Sequence, residues 1–290
     1  MTFGGRGGSG RQLRGALVVT SMVVVATAAA LTPGASDVAA PVPSAAAHGV
    51  ARGPLLPSGL PKQSASTFDH SLNWSGYVDT GTTFTSVAGS WTQPAAVCPA
   101  NKLEQAAFWV GLDGDSPMDT SVEQVGTDSD CVKKVKKVPG GARYYAWYEL
   151  YPDAVVVLPT STYPVVAGDS ISASVHGSGA DYTVAISDGT RWKFSLPVTA
   201  PAVEEDASAE WIAEAPLSCT PVGVCKPVSL ADFGTVTFTG ASADGEPING
   251  PGFTSEAVTM TKNVKGTVLE AQPSALAAGG AGFTVTWISL

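Results

Sequence analysis

From about residue 69 to the end of the chain, apolar and polar positions alternate in short runs, and no stretch keeps a helical period. The runs are rich in Thr, Val, Ser, Tyr and Trp and are separated by Gly, Asp, Asn and Pro, the pattern of strands joined by turns. It predicts strands over 73–79, 106–112, 121–126, 143–151, 170–176, 182–187, 191–196, 207–214, 233–239, 257–261 and 282–288. Ser187-Asp188-Gly189-Thr190 reads as a hairpin turn between two of them. So many strands in one run point to a single all-β domain over 69–290, a sandwich or barrel, rather than to several domains.

Alternation also says which side chains share a face. Within 143–151, Tyr145, Trp147, Glu149 and Tyr151 point one way and form an aromatic wall carrying one carboxylate. Within 207–214, Ser208, Glu210, Ile212 and Glu214 share a face opposed to Ala209, Trp211 and Ala213, so neutral neighbours flank Glu210 and can desolvate it. The ordinary place for an alternating glutamate is a solvent-facing surface, and for a tryptophan it is the sandwich core. Glu123 points away from the face of its neighbour Gln124 and reads as structural.

Upstream the pattern changes. Arg6, Arg11 and Arg14 precede an apolar run from Ala16 to Leu31 and then small residues, which predicts a secretory signal over 1–40, cut between Ala30 and Pro41; an uncleaved anchor is the alternative. Residues 41–68 are rich in Pro, Ala, Ser and Gly and cannot build a core, so they read as a flexible linker or a pro-segment. Five of the 16 Lys and Arg and one of the 25 Asp and Glu lie up to residue 68; the rest carries 11 basic and 24 acidic residues, a net charge near −13. Such a surface argues against nucleic acid or an anionic membrane as partner, and it suits work in acid, where protonation relieves self-repulsion.

Cys98, Cys131, Cys219 and Cys225 all lie in this acidic part, and an even count in an oxidising compartment predicts disulfides. Four cysteines allow three connectivities; Cys219 and Cys225 flank the turn-forming Thr-Pro-Val-Gly-Val, and the expected pairing joins these two and leaves Cys98 with Cys131. Zinc is disfavoured, since no Cys-x-x-Cys occurs and His48, His70 and His176 are scattered. No phosphate loop, zinc-binding helix motif or calcium loop is present, so no metal or other cofactor is implied. Gly168-Asp169-Ser170 has no histidine in reach for a serine triad and reads as a turn into a strand. Lys133-Lys134-Val135-Lys136-Lys137 reads as a solvated hairpin loop, with a substrate-facing rim as the alternative.

One ordered set of motifs goes further: Asn73-Trp74-Ser75-Gly76-Tyr77, Trp109-Val110-Gly111-Leu112-Asp113-Gly114, Val122-Glu123-Gln124-Val125-Gly126 with Asp128, Trp147-Tyr148-Glu149-Leu150-Tyr151-Pro152, and Ala209-Glu210-Trp211-Ile212. Over most of 71–240 this set resembles the glutamic peptidases, or eqolisins, secreted acid endopeptidases. The resemblance implies a sandwich of two large curved antiparallel sheets, jelly-roll in style, with the site on a concave face. It implies a catalytic dyad of Gln124 and Glu210, a cleft lined by Trp74, Trp109 and Trp147, and Asp113, Asp128 and Glu149 as carboxyl groups around the dyad. It also favours a pro-segment over a linker at 41–68.

The expected protein is therefore a secreted, extracellular, cofactor-free acid endopeptidase acting on a protein or peptide, a monomer with no stable membrane association once the signal is removed. As the resemblance implies, Glu210 would activate water as general base and Gln124 would stabilise the oxyanion. The rival readings are a secreted glycoside hydrolase using a carboxylate pair such as Glu149 and Glu210, and a carbohydrate-binding sandwich module that uses its aromatic platforms without turnover.

Overall fold

The β-branched Thr and Val crowd the backbone at Cβ and, like the aromatic Tyr and Trp, favour the extended conformation, a preference that the described residues follow. The computed structural model describes residues 50–51, 68–115, 121–137, 139–220, 224–263 and 265–289, and among them no α-helix occurs. The predicted signal and nearly all of the 41–68 segment lie outside the described residues.

The first strands are β1 (Val50–Ala51), β2 (Phe68–Ser71), β3 (Trp74–Thr80), β4 (Ser86–Thr92), β5 (Ala107–Leu112), β6 (Val122–Val132) and β7 (Gly141–Tyr151). Next come β8 (Val156–Val157), β9 (Ser170–Ser178), β10 (Asp181–Asp188), β11 (Trp192–Thr199), β12 (Ala209–Glu214), β13 (Leu217–Cys219) and β14 (Cys225–Pro227). The last are β15 (Thr235–Ala243), β16 (Glu246–Pro247), β17 (Thr254–Thr261), β18 (Leu269–Pro273) and β19 (Gly282–Trp287). The ladder runs β11-β10-β9-β4-β15-β19-β18-β17-β3-β12-β5-β6-β7-β8, antiparallel throughout, with β16 beside β15 and β2 parallel to β17. A small separate sheet joins β1, β13 and β14.

The long ladder folds back so that β4, β9 and β10 approach β5 and β6, and β15 approaches β12. Its two halves face each other across one apolar core, in which Trp91, Ile171, Val175 and Val184 oppose Phe108, Val110, Val125 and Trp211. Every predicted strand is present. The structure adds β4 and β18 and the short strands β1, β2, β8, β13, β14 and β16, and it carries the strand begun at 121 on to Val132. Strand β4 is built largely of small residues with weak strand preference, and packing supplies the reason: a Cβ on Gly89 would lie 3.0 Å from Trp211 Cδ1 and 3.1 Å from Val110 Cγ1.

The Asp188-Gly189 turn joins β10 to β11 as the sequence predicts. Gly168-Asp169 forms the turn into β9, where the Asp169 carboxylate meets Arg191 at 2.6 Å and accepts the Val166 amide at 2.7 Å. Disulfides join Cys98 to Cys131 and Cys219 to Cys225.

Candidate active site

The strands β3, β12, β5, β6 and β7 lie side by side; the first four are buried on both faces nearly throughout, and β7 is buried in part. One face feeds the main core. On the other, Trp74, Val78, Trp109, Val122, Trp147, Ile212 and Val258 pack into a second apolar cluster. By alternation Glu210, Gln124 and Glu149 fall on this second face, each two residues along its strand from a cluster member: Ile212, Val122 and Trp147.

Register then brings them into one row. Glu210 stands opposite Gly111, Gly111 opposite Gln124, and Gln124 opposite Glu149. Directly opposed residues share a face, so the carboxyl of Glu210 and the amide of Gln124 flank a residue with no side chain. Two interstrand spacings, about 10 Å, separate their backbones. The empty position between them allows the side chains to reach toward each other. A Cβ on Gly111 would lie 2.9 Å from Trp109 Cζ3 and 3.1 Å from Gln124 Cβ, so the tryptophan ring already borders that notch. All three polar side chains of the row have 0 % exposure. Burial of this degree disfavours a charged carboxyl and strengthens every electrostatic interaction in the site.

The walls are held by specific bonds. The Ser71 hydroxyl accepts the amides of Asn73 (3.2 Å) and Trp74 (3.0 Å) and donates to Asn73 Oδ1 (2.9 Å), which sets the entry into β3. Trp74 then meets Trp109 edge to face, with centroids 5.0 Å apart and planes at 77°. Trp109 Nε1 donates to Glu214 Oε2 at 2.9 Å, and Asn73 Nδ2 donates to Glu214 Oε1 at 3.4 Å. Glu214 is fully buried and orients the ring that borders the Gly111 notch.

The remaining sequence-predicted residues take distinct places. Trp147 belongs to the cluster beside the row. Asp128 lies on the same face farther along β6, where Tyr145 Oη is 2.8 Å from Asp128 Oδ2 and also 2.8 Å from Asp130 Oδ2. Asp113 follows β5, and its carboxylate accepts the amides of Asp206 (2.8 Å) and Ala207 (2.6 Å), at the entry to β12. That segment leads into the strand that carries Glu210. Asp206 in turn accepts the Tyr182 hydroxyl at 2.7 Å. Burial, that hydrogen bond and the charges of Glu123, Asp206 and Asp113 raise the Tyr182 phenol far above its ordinary pKa. Glu123 therefore faces the main core, as its alternation predicts.

Sequence reasoning assigned no role to Gly111 or Glu214. Glu214 was visible as a carboxylate on the Glu210 face, and Gly111 sat inside a quoted motif. Neither spacing nor alternation reveals that one orients an indole and the other keeps a notch open. Among the described residues, no group of His, Cys, Asp and Glu is arranged to hold a metal ion.

Comparison with known proteins bears on this geometry. Residues 72–286 match the Peptidase A4 family. The chain is 31 % identical over 245 residues to aspergillopepsin-2 of Aspergillus niger, covering 76 % of this chain and 79 % of that protein. Its fold is similar to that of scytalido-glutamic peptidase solved with a transition-state analogue inhibitor, at TM-score 0.59 and 24 % identity over 74 % of this chain and 98 % of the other. It is also similar to SCP-B, an eqolisin solved with the tripeptide Ala-Ile-His, at TM-score 0.56 and 23 % identity over the same shares.

Proposed function

Because the chain belongs to the Peptidase A4 family and is a glutamic-type endopeptidase, we propose that Gln124 and Glu210 are its catalytic dyad. The observation that carries this is the row Glu210–Gly111–Gln124–Glu149, an acid and an amide on one buried face with a side-chain-free position between them.

Peptide hydrolysis without a metal needs a base for water, a donor for the oxyanion and a proton for the leaving nitrogen. Glu210 takes a proton from a water placed over Gly111 as the water oxygen bonds to the scissile carbonyl carbon. The carbonyl oxygen becomes an oxyanion, which accepts a hydrogen bond from the Gln124 NH2. Glu210 then returns its proton to the amide nitrogen as the C–N bond breaks, which regenerates the carboxylate and releases an acid and an amine. Gln124 can hold the water with its carbonyl and the oxyanion with its NH2, since one amide carries both functions. Glu149, directly across from Gln124, fixes which way that amide points. Trp74, Trp109 and Trp147 supply the apolar wall along which the peptide lies, and Asp128 with Tyr145 closes one end of it. Asp113 holds the entry to β12, so it sets where Glu210 starts.

The two disulfides fit an oxidising compartment, and we place the working enzyme outside the cell, with the basic-apolar leader removed as a signal and 41–68 as a pro-segment. The acid requirement follows from a carboxyl that must work among other buried carboxyls, where like charge favours protonation of some of them. With the family established, neither sugar-directed alternative has an observation of its own.

The test is cleavage of a denatured protein from about pH 2 to about pH 7 by the wild type beside Gln124→Ala and Glu210→Gln. The dyad requires that both variants keep the wild-type fold by circular dichroism and lose at least about 10²-fold in kcat, the scale of one lost oxyanion donor. A folded variant that cleaves as fast as wild type removes its residue from the mechanism.

A further inference from the structure

Beyond residue 68 acidic residues outnumber basic ones by 24 to 11, so a concentration of cations on this surface is a departure that needs a cause. Four lysines line a single cavity of about 640 Å³: Lys102, Lys133, Lys226 and Lys262. They arrive from separate parts of the chain, before β5, after β6, within β14 and after β17, so the fold gathers them and no local charge run accounts for the cluster. Only Lys133 of the basic stretch 133–137 takes part. The four lysines are exposed, whereas the two carboxylates of the lining, Glu104 and Glu270, are buried at 1 % and 7 % exposure. Glu104 meets Lys102 at 3.8 Å. Four ammonium groups against two carboxylates leave the cavity positive inside an anionic protein. None of Gln124, Glu210, Trp74, Trp109 and Trp147 lines it.

The chemistry of the site selects its ligand. An ammonium binds phosphate as a compact point charge, and several lysines around one pocket are a common way to hold it. In acid, peptide carboxylates lose their charge around pH 4, whereas a phosphate monoester keeps at least one negative charge and gives up only its second, near pH 6. The floor changes in the same direction: burial raises the Glu270 carboxyl above its usual range against the opposing pull of Lys262, so acidification removes a counter-charge and leaves the ammonium groups. The volume lies within the range of ligand pockets and exceeds what a bare phosphate fills.

We propose that the cavity lined by Lys102, Lys133, Lys226 and Lys262 binds a phosphate monoester carried on a polypeptide, at a site separate from the Gln124–Glu210 row. In a peptidase such a site holds a phosphorylated polypeptide, and binding itself does not depend on the dyad.

The experiment is a calorimetric titration of the purified protein near pH 4 in low salt, with a phosphoserine peptide, its unphosphorylated twin and inorganic phosphate as separate ligands. The phosphopeptide should bind at least about tenfold more tightly than its twin, and Lys226→Ala/Lys262→Ala should remove about tenfold or more of that affinity. Lys136→Ala/Lys137→Ala, on the same basic stretch but outside the cavity, should change nothing. Unchanged cleavage of an unphosphorylated substrate by the Lys226/Lys262 variant shows that it is folded. Equal affinity for the twin peptides, or an unaffected Lys226/Lys262 variant, overturns the site. Inorganic phosphate binding as tightly as the phosphopeptide overturns the polypeptide as its source. Because no turnover is measured in the titration, these results stand whether or not the dyad assignment does.

Discussion

Replacing Gly111 by alanine puts a methyl group where Trp109 Cζ3 would be 2.9 Å away and Gln124 Cβ 3.1 Å away, so the ring or the glutamine must move. The strand itself tolerates alanine, and the expected result is a folded protein whose kcat falls on the order of 10²-fold, since an ångström of misplacement suffices for that. Wild-type kcat in Gly111→Ala would show that the notch is not where water and substrate meet. Glu214 makes a second residue-scale case. Glu214→Gln keeps an acceptor for Trp109 Nε1 and should preserve most activity, whereas Glu214→Leu removes the acceptor of a buried indole N–H, at a cost of about 1–3 kcal/mol. The indole wall should then bind peptide less well, so KM rises more than kcat falls in the leucine variant, and glutamine rescues it. Equal damage by both substitutions would assign Glu214 a role beyond orienting Trp109.

At the scale of elements, β12 brings Glu210 to its row, and the segment before it is fastened to Asp113 by the two amides of Asp206 and Ala207. Asp113 (φ +66°) and Asp206 (φ +53°) both adopt the left-handed conformation, which aspartate tolerates better than most residues. Asp113→Ala loses both bonds and should lower kcat and thermal stability together, and Asp113→Asn, which keeps an acceptor oxygen, should lower them less. The disulfides act on other elements. Cys98–Cys131 closes a separation of 33 residues and Cys219–Cys225 one of 6, so on the chain-entropy argument their removal costs about 4 and about 2 kcal/mol respectively. Denaturant unfolding of the two double-alanine variants should give that order, and the reverse order would mean that native packing outweighs chain entropy here.

For the molecule as a whole, three carboxyl groups, Asp79, Asp188 and Glu270, are pushed in one direction by burial. Asp79 is raised by burial against the opposing bonds from Ser255 and Asn249. Burial also raises Asp188, together with the charge of nearby Asp169, against Arg191, and it raises Glu270 against Lys262. A carboxyl raised in the folded state binds its proton more tightly there than in the unfolded chain. Its contribution to stability is present in full below the unfolded value near 4 and is lost as pH rises through the folded value. Tm should therefore be highest in acid and fall toward neutrality, and a Tm that climbs steadily from about pH 4 to about pH 7 would refute this sign. The sequence by itself determined the all-β class, most strands, and the faces of Glu210, Glu149 and Glu123, because strand alternation has a period of two and needs no knowledge of neighbours. The family motifs, with Gln124 and Glu210 among them, were legible for the same local reason. Only the tertiary structure decided that the two halves of the ladder are continuous, that Gly111 lies between Glu210 and Gln124, that Asp113 anchors the entry to β12, and that four distant lysines share one cavity. These depend on cross-strand register and on folding the sheet over itself, contacts between residues far apart in the chain that no local pattern records.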